Sequence, residues 1–406
     1  MQLRSFSRRR LTGASVIASA AALMPVAFLA AAASPAAAAA QRPSAAQRPT
    51  AAQRPTAAQR PTAVPAGLQP ASASFVSPAW GVALGGVGCG PDHACRARLA
   101  ATSDGGAHWR ALTAPRTFLQ RPADRSRPAQ VSQVVFASRQ DGWLYGPGLW
   151  ATHDDGAHWR RILLPGNVVP ALGGGVVAMA ASAGTAYAVV SPDPFHGKPD
   201  ELYRSPVGQN AWARVATMTG NPFASLAVSG KAAWFGTSTH LWATADGVHW
   251  HRFPFSCPGS HYGLAGIAAA SRSDVAFLCA SAQGMFHTDK EVLRSVNGGR
   301  TAHLTGRAPV EGDTYGDALA VPPHHPKVIT IAVVSPGLSF LDRSADGGRT
   351  WAEITIPGTE GGVNLSSLSY VSRTAGWVVA GGPTTAGPGQ LLLTSDSGRT
   401  WHPVTF

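Results

Sequence analysis

Charge is scarce in this chain: Asp, Glu, Lys and Arg make up 13% of its 406 residues. Together with abundant glycine (45), proline (32) and tryptophan (12), that excludes a coiled coil or a helical solenoid and favours turns and strands. Acids are scarcest of all. The first 66 residues hold none, and no lysine either, but they carry eight of the 33 basic residues; the remaining 25 against 21 acids leave +4 on Gly67–Phe406, of the +12 overall. The basic balance therefore gives no nucleic-acid signal in the body of the protein. No Ser-His-Asp or Cys-His arrangement has a recognisable nucleophile elbow, so nucleophilic catalysis has no support. Cysteine is rare too, at four.

The N-terminus is an address. Arg4 and Arg8 to Arg10 precede an apolar stretch from about Ala14 to Ala33 and an Ala-rich end, the layout of an export signal over residues 1–40. Ser7-Arg-Arg-Arg-Leu-Thr12 resembles the twin-arginine motif by which bacteria export folded proteins. Cleavage near Ala40 leaves +8 on the mature chain, with no transmembrane segment and no cysteine placed for a lipid anchor. Residues 41–66 contain four hexapeptides of the Gln-Arg-Pro-Thr-Ala-Ala kind. Proline every six residues blocks helix, and nothing bulky is available to bury, so the segment reads as a disordered, extended linker.

Residues 67–406 are repetitive. Thr102-Ser-Asp104-Gly-Gly-Ala-His-Trp109 returns around Asp154 and Trp159, Asp346 and Trp351, and Asp396 and Trp401. It returns one residue shorter at Asp246 to Trp250, with Asn297 for Asp and Ala302 for Trp in another copy, and in remnant form from Ser205 to Trp212. An Asp in such a turn accepts bonds from amides just ahead of it, and Gly supplies positive φ. These are turn-forming residues, and His108, His158 and His249 fill the place taken by Thr350 and Thr400. The Asp positions are spaced by 50, 53, 39, 51, 49 and 50 residues. Each period repeats four short apolar segments, the second opening on an aromatic such as Trp143, Trp234 or Trp377. Four strands per unit, seven times, predict an all-β, seven-bladed β-propeller of four-stranded antiparallel blades.

The pattern resembles the Asp-box, or BNR, repeat of sialidases, xyloglucanase-type glycoside hydrolases, sortilin-type receptors and photosystem II assembly factor-like proteins. The resemblance implies the propeller and leaves function open. Sialidases of this kind have an Arg-Ile-Pro motif, which this chain lacks, and a Tyr activated by a Glu; the body holds only Glu201, Glu291, Glu311, Glu353 and Glu360. Any other glycosidase would need two carboxylates flanking a sugar bond. The richest remaining acidic stretch is Glu311-Gly-Asp313-Thr-Tyr315-Gly-Asp317, whose Glu311, Asp313 and Asp317 are the catalytic candidates and whose Tyr315 is a rim candidate; His196, Lys198 and Glu201 form a second candidate rim. Adjacent His324 and His325 point apart on an extended chain, so no metal or cofactor is expected.

Four cysteines in an exported protein suggest two disulfides: Cys89 with Cys95 in one loop, and Cys257 with Cys279 stapling neighbouring blades. The reading that results is a secreted or cell-envelope bacterial propeller, monomeric, that binds a protein or polysaccharide through loops at one mouth. A glycoside hydrolase is the alternative, and a scaffold or assembly factor for a membrane complex is the third.

Overall fold

The computed structural model describes residues 63–406, apart from 91–94, 122–128, 166–173, 193–197, 219–224, 238, 260–262, 285–286, 315–317 and 384–388. His196, Tyr315 and Asp317 thus lie outside the described residues, as do the expected signal and almost all of the expected linker. Twenty-eight strands, β1 to β28 in chain order, form seven four-stranded antiparallel sheets, and no described residue is helical.

Each sheet takes four consecutive strands, and its first strand lines the centre. These inner strands are β1 (Gln69–Phe75), β5 (Gln133–Phe136), β9 (Gly175–Ser182), β13 (Ser225–Ser229), β17 (Gly263–Ala269), β21 (Leu319–Ala320) and β25 (Leu365–Tyr370). Each contacts the next in that order, and β25 contacts β1, which closes a ring of seven blades. Second strands such as β2 (Gly81–Gly86), β14 (Ala232–Gly236) and β26 (Gly376–Ala380) are buried at every residue, because each is covered by a blade on either side. That sandwiching is why they read as unbroken apolar runs. Outer strands such as β8 (Arg160–Arg161) and β28 (His402–Pro403) face solvent. Trp143 and Trp234, on second strands, are at most 1% exposed.

The ring closes without exchanging a strand. Blade 1 is β1 to β4 and blade 7 is β25 to β28, so among the described residues no sheet combines strands from the first and last blades. The seam is made by side chains instead: Trp377 donates from Nε1 to Ala73 O (3.0 Å) and stacks at 5.2 Å on Phe75, while Trp109 meets Phe406 at 4.9 Å. Ala83, Val379 and Leu391 complete this apolar cluster.

Both disulfides are formed, Cys89–Cys95 and Cys257–Cys279. The second joins the chain just after β16 (Trp250–Pro254), the outer strand of blade 4, to β18 (Val275–Gly284) of blade 5. Its loop separation of 22 residues corresponds to about 3 kcal/mol of unfolded-state entropy. Replacing Cys257 and Cys279 together by Ala is expected to lower unfolding free energy by about that amount in urea titrations, with a smaller loss for the six-residue separation of Cys89 and Cys95.

Candidate functional site

Strand direction divides the ring into two faces. Turns between first and second strands and between third and fourth strands lie on one face; the other two kinds of connection lie on the opposite face. The recurring Asp turns join third to fourth strands, and several rest on the first turn of their own blade: Gly105 N donates to Ala79 O (2.8 Å), Gly347 N to Lys327 O (2.9 Å) and Ser397 N to Thr374 O (2.9 Å).

The turn is a closed hydrogen-bond unit. In blade 6, Asp346 Oδ1 accepts from Ser344 Oγ (2.9 Å) and Thr350 N (2.9 Å), and Oδ2 accepts from Thr350 Oγ1 (2.7 Å). Gly347 and Gly348 both sit at positive φ, 85° and 94°, which their lack of Cβ permits. In blade 1, His108 replaces Thr, giving its N to Oδ1 (2.9 Å) and its Nδ1 to Oδ2 (2.7 Å) of Asp104. The amide and side-chain bonds from residue 108 hold Asp104 at about 2, and those from residue 350 do the same for Asp346. Asn297 fits the same place with Oδ1 on Thr301 N (3.0 Å) and Nδ2 on Thr301 Oγ1 (2.9 Å), so the turn uses hydrogen-bonding shape and does not require charge. Trp109, Trp351 and Trp401 donate from Nε1 to the glycine carbonyl of their own turns, and the outer strand begins one residue after each. Trp159 reaches across to Thr113 O of blade 1 (2.9 Å), and Trp250 edges onto Tyr187 of blade 3 at 5.7 Å.

The described residues of both candidate segments lie on the opposite face. Glu311 is exposed, and its carbonyl accepts from Lys290 Nζ (2.9 Å), as does that of Gly312 (3.3 Å). Asp313 accepts from Thr288 Oγ1 (2.7 Å), and its backbone pairs with Val334. Lys290, on β19 (His287–Ser295), is 1% exposed and ties this connection down; as a lone lysine on a strand, it carried no signal in the sequence. Burial pulls its ammonium below the ordinary lysine value against the opposing pull of Asp342, Glu311, Asp313 and Asp289. Asp342, on β23 (Leu338–Ser344), is fully buried with neither carboxylate oxygen hydrogen-bonded, and desolvation pushes it to about 7.

The second rim divides differently. Lys198 is exposed. Glu201 spends both oxygens, on Arg214 Nη1 (2.7 Å) and on the Tyr203 hydroxyl (2.6 Å). Tyr beside Glu is the pairing a tyrosine nucleophile would use, but Tyr203 is 2% exposed, and burial followed by the Glu201 bond pushes its phenol upward, away from the phenolate. Nearby Asp200 is 4% exposed, and its burial raises it to about 6.

Between the faces runs a central channel of about 560 Å³. Its described wall is Ala, Ser, Val and Leu with Gln133 and a few aromatics, and carries no Asp, Glu, Lys, Arg or His. Ser367 Oγ bridges to Ser72 Oγ (3.1 Å) and Gln133 Oε1 (3.2 Å), a polar belt joining blades 7, 1 and 2.

Fold and site together define a seven-bladed β-propeller with a channel that carries no charged side chain among its described residues, the Asp turns on one face and the candidate acids on the other. No protein-family model and no curated protein sequence matches the chain. Solved structures of similar shape include YCF48 from Cyanidioschyzon merolae (16% identity, TM-score 0.50, covering 84% of this chain and 99% of that one). They also include a polysaccharide lyase, an ulvan lyase bound to a saccharide (8%, 0.53, 82% and 93%), and a puromycin-hydrolysing peptidase of Mycobacterium tuberculosis (12%, 0.51, 85% and 56%). What this chain shares with them is the fold, which serves unrelated chemistries.

Proposed function

We propose that the protein is a non-catalytic binding propeller of the Asp-box type, exported to the cell envelope as a monomer, that takes a protein or polysaccharide at its loop face. The observation that carries this reading is the disposition of the carboxylates. The channel wall has none among its described residues, Glu201 is committed to Arg214 and Tyr203, and Asp313 is held by Thr288. A glycosidase needs two carboxyl groups free to act on one bond. Both disulfides support export, since such bonds persist in oxidising compartments.

The test is the full chain on peptide and glycan arrays, beside Lys198→Glu and Glu311→Arg, two exposed positions on the loop face. Saturable binding to one ligand class is expected, weakened about tenfold or more by at least one reversal, with no release of reducing sugar. Sugar release that disappears in Asp313→Asn would overturn the reading in favour of the hydrolase.

A further inference from the structure

The turn face carries a feature that neither the loop-face reading nor the repeat itself explains. Ser397, 4% exposed and at φ 63°, is a hub for three separate chain segments. Arg343, from the third strand of blade 6, donates from Nε to Ser397 O (2.8 Å). Ser397 Oγ donates to Arg373 O (3.0 Å), on the first turn of blade 7. Arg399 follows two residues later, its Nη1 on Asp396 O (3.3 Å). The Arg343 and Arg399 side chains and the Arg373 main chain thus meet at one boundary between blades, and the charges of all three arginines act on nearby His325.

None of the three forms an ion pair with a carboxylate among the described residues. The acid closest in sequence, Asp396, accepts at Oδ1 from Thr394 Oγ1 (2.8 Å) and Thr400 N (3.0 Å) and at Oδ2 from Thr400 Oγ1 (2.7 Å); these bonds keep it ionised, and its single charge acts on Arg343 without forming an ion pair, one anion against three cations. Arg343 is 7% exposed, so its charge is largely withdrawn from water, whereas Arg373 and Arg399 are open. His325 completes the surround, with Nδ1 buried and unpartnered. Burial first, then the charge of Arg373 and, less strongly, those of Arg343 and Arg399, lower its imidazole below the usual histidine value, against a hydrogen bond with the Arg373 backbone.

A gathered set of like charges on a folded surface is costly unless something compensates it. Planar guanidinium forks match tetrahedral oxyanions with paired N–H donors. Three of them suit a dianion better than a singly charged carboxylate. We propose that Arg343, Arg373 and Arg399 form a receptor for a phosphoryl dianion at the boundary of blades 6 and 7, on the turn face. The group would arrive as free phosphate or as the phosphate monoester of a larger molecule.

The test is calorimetric titration of the full chain with inorganic phosphate, glycerol 3-phosphate and acetate, at ionic strength held constant with sodium chloride. Both phosphates are expected to bind saturably and acetate about tenfold more weakly or not at all. Arg373→Gln and Arg399→Gln should each weaken phosphate about tenfold, with near-ultraviolet circular dichroism unchanged. Arg272→Gln, exposed on the same face in blade 5, should leave it unaltered. Either order of the two phosphates supports the receptor: tighter glycerol 3-phosphate assigns it to an ester, equal or tighter inorganic phosphate to the free ion. Absence of saturable phosphate binding, equal binding of acetate, or an equal loss in Arg272→Gln overturns it.

Discussion

Trp377→Ala is expected to lower the free energy of unfolding by about 4 kcal/mol, the middle of the range for removing a buried aromatic. The magnitude follows from where Trp377 stands. A blade inside the ring is joined to both neighbours by covalent chain, but blades 7 and 1 meet with neither a chain connection nor a shared sheet. Beside the Ser367–Ser72 bond in the channel, their contact centres on an apolar cluster in which Trp377, 7% exposed, provides both the stacking partner of Phe75 and the hydrogen bond to Ala73 O. Truncation opens a cavity at the closing seam, and the ring has no strand pairing there to compensate. Trp377→Phe keeps most of the apolar volume and loses the indole donor, leaving Ala73 O unsatisfied, for an expected cost of about 1 to 2 kcal/mol. Urea unfolding followed by circular dichroism measures both. A loss below about 1 kcal/mol for the alanine variant would show that the seam is held elsewhere.

Asp342→Asn is expected to stabilise the protein at alkaline pH and to lose that advantage in acid. Burial raises the Asp342 carboxyl from 3.8 to about 7 in the folded chain, with Lys290 of the neighbouring blade lowering it and Glu353 and Glu311 raising it further. A carboxyl whose folded value lies above its unfolded value costs nothing below pH 3.8, where both states are protonated. Between 3.8 and 7 the unfolded chain releases its proton and the folded chain keeps it, so stability falls as pH rises. Above 7 the full penalty applies, and at about 1.4 kcal/mol per pKa unit it comes to about 4 kcal/mol. The asparagine variant has no such charge to bury. Its advantage should therefore be several kcal/mol near pH 8.5 and close to zero near pH 4, and taking the difference between variant and parent cancels the remaining titrations. A difference independent of pH would show that Asp342 is ionised and matched by a partner throughout.

The repeat turns were legible in sequence because everything they need is local. Asp346, its serine, its glycines and Thr350 lie within seven consecutive residues, and the bonds among them are short-range. The same locality made the period visible, and with it the number of blades. The acidic stretch around Asp313 was legible as composition only: reading it as a possible active site depended on its neighbours, and those came from elsewhere. Thr288 and Lys290 stand more than twenty positions earlier, on a strand whose lysine looked unremarkable until folding placed its ammonium against the carbonyls of Glu311 and Gly312. Arg343, Arg373 and Arg399 likewise belong to a strand and two turns in two successive repeats, and no spacing rule links them.

By itself, then, the sequence determined the β class, the seven-fold repetition and the turn chemistry, because hydrogen-bonding turns and apolar alternation are properties of short stretches. Only the tertiary structure decided how the ring closes, which acids are committed to partners, and where unpaired charge gathers. Those depend on which side chains meet between blades, and contacts of that kind join residues that the chain order keeps far apart.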